Sequence, residues 1–115
     1  MGEIILVEKP IGKTELKQIA EKRFGDMVKA VVDLDKKIMA IGGGLHADEE
    51  AYLLERGSSQ ENLWGINIYL GLAMPDMVEF DSMINIRPRQ DNRSRSVEDE
   101  KIRNQILEII KILII

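Results

Sequence analysis

Val28, Ala30 and Val32 alternate with Lys29, Val31 and Asp33, and after the polar run Asp33-Leu34-Asp35-Lys36-Lys37 the chain resumes as Ile38-Met39-Ala40-Ile41. Two apolar segments joined by so short a polar turn predict a β-hairpin, and a hairpin commits the fold to antiparallel pairing. Ile4 to Val7, closed by Lys9-Pro10, reads as a short earlier strand. Leu63-Trp64-Gly65-Ile66-Asn67-Ile68-Tyr69 and Val78 to Ile86 read as two later strands that pair directly across a turn around Gly71 and Pro75. On the first of these, Trp64, Ile66 and Ile68 point to the core and Asn67 and Tyr69 to the other side.

Three helices complete the pattern. Thr14 is a candidate cap for a helix carrying Leu16, Ile19, Ala20 and Phe24, with Gly25 at its end. Leu45-His46-Ala47-Asp48-Glu49-Glu50 starts a second, its acidic residues favoured at the positive end of the helix dipole, and Gly57 ends it. Ser96-Val97-Glu98-Asp99 matches a capping box before Ile102, Ile106, Ile109, Ile110 and Leu113. With 115 residues the chain fits one domain, residues 1–115. The expected class is α+β: a mainly antiparallel sheet of about five short strands with three helices packed on one face.

Composition narrows the chemistry. The chain has no cysteine, so disulfides, thiolate metal sites and thiol nucleophiles are excluded. A net charge of −4 argues against general nucleic-acid binding, which draws on Lys and Arg neutralising phosphates. The first ten residues carry no basic leader and only a four-residue apolar run, and Glu108 and Lys111 interrupt the apolar C-terminal segment. These features predict a cytoplasmic protein that does not enter the membrane. The sequence names no cofactor.

The strand ending at Ile86 runs into a loop with four arginines, Arg87, Arg89, Arg93 and Arg95. Guanidinium forks suit phosphate or carboxylate, so the expected ligand is an anionic small molecule or a phosphate-bearing partner held by Arg87, Arg93, Ser94 and Arg95, with Asn85 and Asn67 on the adjoining strand face. The competing expectation is internal pairing of the arginines with Asp91, Glu98, Asp99 and Glu100. His46, the single histidine, lies among carboxylates. It supports an alternative reading as a hydrolase-like or metal-dependent enzyme, with His46, Asp48 and Asp81 as catalytic candidates and His46, Asp48 and Glu49 as metal ligands. A third reading is a structural or regulatory homo-oligomer, because Ile109 to Ile115 is apolar around nearly the whole helix and favours a homodimer.

The strings Leu45-His46-Ala47-Asp48-Glu49-Glu50, Leu63 to Tyr69, Glu79-Phe80-Asp81-Ser82-Met83-Ile84-Asn85-Ile86-Arg87-Pro88 and Asn92-Arg93-Ser94-Arg95 resemble those of a family of small prokaryotic proteins of unknown function. The resemblance spans nearly the whole chain and implies no catalytic residue. In that family an acidic residue often stands where this chain has Gly44, and a proline often follows the position of Tyr69, where this chain has Leu70.

Overall fold

The computed structural model describes residues 3–115. Met1 and Gly2, which belong to the segment read above as lacking a leader, lie outside the described residues. Strand β1 (Ile5–Val7) is followed by helix α1 (Lys13–Glu21), the hairpin β2 (Met27–Asp33) and β3 (Ile38–Ile41), and helix α2 (His46–Glu55). Strands β4 (Leu63–Tyr69) and β5 (Val78–Glu79) and helix α3 (Glu100–Leu113) complete the chain. The five strands form one antiparallel sheet in the order β1-β3-β2-β4-β5. This is the α+β class that the alternation in β2, β3 and β4 predicts.

The helices divide between the two faces rather than sharing one. Val28, Ala30 and Val32 of β2 and Trp64, Ile66 and Ile68 of β4 point to the face where α1 contributes Leu16 and Ala20 and α3 contributes Ile106, Ile109, Ile110 and Leu113. The opposite face holds a smaller cluster, in which Val31, Ala40 and Leu63 meet Leu53 of α2 with Tyr52 and Ile84 at its margin. Val31, Val32, Ala40 and Met39 are all fully buried, so the two middle strands present apolar side chains to both faces, as strands covered on both sides do. The apolar surface of α2 is too small to cover its face alone. Where it ends, polar side chains occupy the sheet.

Several boundaries differ from those the sequence predicts. Gly12, not Thr14, precedes α1, and Phe24 falls beyond the helix, exposed beneath the Lys29 ammonium at 5.5 Å. Asp99 caps α3 by accepting from Lys101 N at 2.8 Å, while Ser96 Oγ accepts from Arg103 at 2.9 Å. The apolar C-terminal run is absorbed mainly within the chain. Ile109, Ile110, Leu113 and Ile114 are buried, Ile11 N donates to Leu113 O and Ile115 N to Ile11 O, and Ile112 and Ile115 remain exposed. Among the described residues no helix is long and apolar enough to cross a membrane.

Candidate functional site

The strand predicted from Val78 to Ile86 pairs with β4 only at Val78 and Glu79. Beyond that point the edge of β4 is completed by a side chain. Gly65 N donates to Asn85 Oδ1 at 2.8 Å, and Asn85 Nδ2 donates to Gly65 O at 2.9 Å and to Arg95 O at 3.0 Å. A carboxamide carries the same donor and acceptor pair as a peptide group, so Asn85 serves as one rung of a missing strand. The segment can approach this closely because residue 65 is glycine: a Cβ there would lie 2.6 Å from Ser82 Cβ. The chain therefore leaves the sheet after Glu79, turns through a short 3-10 helix at Met83–Asn85, and sets Asp81, Ser82 and Met83 on the face shared with α2.

The arginine loop is organised by two further side chains. Asn92, buried, donates through Nδ2 to Asn85 O, Ser94 O and Ser96 O and accepts Glu98 N at 2.8 Å. The Glu98 carboxylate accepts Arg93 N at 3.0 Å and Ser94 N at 2.8 Å, and hydrogen bonds from the Ser94 side chain and these backbone groups hold its pKa below the usual range. The arginines themselves take different directions. Arg87 stacks on Trp64, 4.1 Å from the ring centroid, and donates to Gln60 O and Leu63 O. Arg93 reaches Asp91 at 3.5 Å on the surface, and Arg95 Nε donates to Asp81 Oδ1 at 2.6 Å. The four-arginine cluster of the sequence is thus not one cluster in space.

His46 opens α2 and is 8% exposed, with Nε2 2.7 Å from Ile66 O. A carbonyl only accepts, so Nε2 carries the proton and Nδ1 holds the lone pair of the neutral ring. Burial lowers the His46 pKa; the Ile66 carbonyl raises it, and the fields of Lys29, Asp81 and Arg95 also act on it. A pocket of about 270 Å³ lies here, with Lys29, His46, Ser82 and Arg95 supplying polar groups and Leu45, Ala47, Met83 and Ile84 the apolar part of its lining. Three separate stretches of chain, from β2, the start of α2 and the loop after β5, meet around it.

A family model matches residues 5–113, from the first residue of β1 to the last of α3. The chain belongs to DUF5674, a family of proteins of unknown function. No curated protein and no solved structure matches it.

In this DUF5674 chain the residues nominated from the sequence separate into two groups. Arg95, His46 and Asp81 come together at the pocket. Arg87, Arg93 and Ser94 do not line it; Asn85 is fully buried with its amide engaged. Asn67 donates to Glu79 Oε1 at 2.8 Å and Asp81 O at 3.4 Å, leaving only its buried, unpartnered Oδ1, an acceptor that does not suit an anion. The metal expectation meets a different geometry. Asp48 is exposed, and Glu49 is completely buried against Gly43, whose N–H donates to Oε2 at 2.9 Å; burial pushes the Glu49 pKa up to about 9. A carboxyl that is neutral at physiological pH is a poor ligand. Among the described residues no group of three or more His, Cys, Asp or Glu side chains is arranged to hold a metal ion.

Lys29 is the site residue that sequence reasoning missed. Its signal was present: a charged side chain in an apolar strand, on the face opposite Val28 and Ala30. What a single strand does not reveal is the register that sets Lys29 opposite Asn67 on β4, or the placement of α2 over that face.

Proposed function

We propose that this DUF5674 protein is a binding module for a small anionic ligand, and that the ligand sits in the pocket lined by Lys29, His46 and Arg95. The observation that carries the reading is the convergence of two cationic side chains and a neutral histidine, from three distant parts of the sequence, on one pocket beside the first turn of α2. Asp81 takes the Nε of Arg95 and orients the guanidinium; the remaining donors of the fork are suited to a ligand oxygen. Lys29, half-buried on the sheet, adds a second positive charge. At about 270 Å³ the pocket falls below the roughly 300–1,000 Å³ usual for drug-sized ligands, which favours a small molecule.

The arginine-rich loop then has two roles. Arg87 anchors it to the start of β4 through Trp64, Gln60 and Leu63, and Arg95 alone of the four serves the pocket. Calorimetric titration with acetate and with inorganic phosphate tests this. Arg95→Met and Lys29→Met should each weaken binding about tenfold or more, the loss of one charge-assisted hydrogen bond, while Arg93→Met should bind as the parent does. Equal losses from Arg93→Met would return the site to the exposed loop.

A second reading, general-base chemistry, is favoured by one observation: the bond from Nε2 to Ile66 O fixes the His46 tautomer and leaves Nδ1 unprotonated. Such chemistry would appear as hydrolysis of small esters lost in His46→Gln and retained in Arg93→Met.

A further inference from the structure

We infer that the anion taken by this pocket is an amphipathic monocarboxylate, a single carboxylate bearing a short hydrocarbon tail; the inference rests on the anion-binding reading above. Leu45 is 61% exposed and Met83 65% exposed, and with Ile84 they line the same pocket as Lys29 and Arg95. Large apolar side chains scattered singly over a surface need no explanation, but here they share one concave space with the cations. Inorganic phosphate or a purely polar anion would leave them in water. A tail laid across Leu45 and Met83 would cover them.

The charge at the site points to the same class. Lys29 and Arg95 supply two positive charges, Asp81 removes one through its 2.6 Å pair with Arg95, and His46 is held toward its neutral form by burial. The remainder is one positive charge, which matches one carboxylate better than a doubly charged phosphate. The flat guanidinium fork also matches the planar carboxylate in shape. The limited volume restricts the tail to a few carbons.

The test is an NMR titration of the full chain with acetate, butyrate, hexanoate, 1-hexanol and inorganic phosphate, following the amides of Leu45 to Ala47 and Ser82 to Ile84. Affinity should rise along the acid series by up to about fourfold per added methylene, the gain from removing it from water. 1-Hexanol should bind at least about tenfold more weakly than hexanoate, for want of the charge. Leu45→Ser and Met83→Ser, both at exposed positions, should flatten the dependence of affinity on chain length. Acetate and hexanoate binding equally, or phosphate binding more tightly than hexanoate, would overturn the tail and leave the anion site standing. 1-Hexanol matching hexanoate, or no saturable response to any of the five, would overturn both.

Discussion

Asn85 supplies the donor and the acceptor that finish the edge of β4, and it is completely buried. Asn85→Ala should lower stability by about 2–4 kcal/mol in urea denaturation, because Gly65 N–H, Gly65 C=O and Arg95 C=O all lose a partner. Asn85→Asp keeps the acceptor and the shape but loses both donations, so it should also be destabilised, and a variant as stable as the parent would contradict the role given to the amide. Glu49 makes a prediction about pH. Its carboxyl rises from the ordinary 4.5 to about 9 on folding, chiefly through burial, so over that interval the folded chain binds a proton that the unfolded chain has released. Stability is therefore full below the lower value and falls as pH rises, by about 1.4 kcal/mol per pH unit from this group. Glu49→Gln keeps an acceptor for Gly43 N–H and cannot ionise. Urea unfolding at about pH 6 and about pH 8 should show the parent losing roughly 3 kcal/mol more than the variant between them, and parallel pH dependence would refute the assignment.

Elements with strong periodicity were legible in the sequence, and those held by one polar contact were not. The hairpin of β2 and β3, the β4 strand with Trp64, Ile66 and Ile68 inward, and the stripe of α3 all follow from apolar spacing, because burial of a whole face fixes them. The alternation from Val78 to Ile86 is as clear, yet β5 ends at Glu79. Alternation reports which side chains prefer shelter; it does not report that an asparagine amide has replaced the backbone rung. Nor does it show that Gly65 is what lets Ser82 approach the sheet. Gly65→Ala should cost about 1–3 kcal/mol or more, the penalty of overpacking, since the new Cβ would meet Ser82 Cβ at 2.6 Å with little freedom for either to move. A thermal midpoint unchanged in Gly65→Ala would show that the Ser82 segment can retreat without cost. The placement of α2 on the second face was likewise hidden, because three amphipathic helices are compatible with one covered face or two.

At the scale of the whole molecule, the site arises where the two coverings of the sheet end. α1 and α3 close one face with a continuous apolar core; α2 closes only part of the other, and the part beyond α2 carries Lys29, the buried Asn67 and the neighbouring polar groups. The sequence offered His46 and Arg95 as separate candidates for separate chemistries, and their convergence on one pocket is a property of the sheet order β1-β3-β2-β4-β5 and of the loop that Asn85 and Asn92 hold. The overall charge of −4 gives no hint of it, because Lys29 and Arg95 form a local exception to an acidic average. The most direct measurement follows the Nε–H resonance of Arg95 and the amides of His46 and Ser82 as acetate is added. The account predicts saturable shifts at all three with one dissociation constant, lost together in Lys29→Met. Shifts confined to Arg93 and Ser94, or a linear drift without saturation, would contradict it.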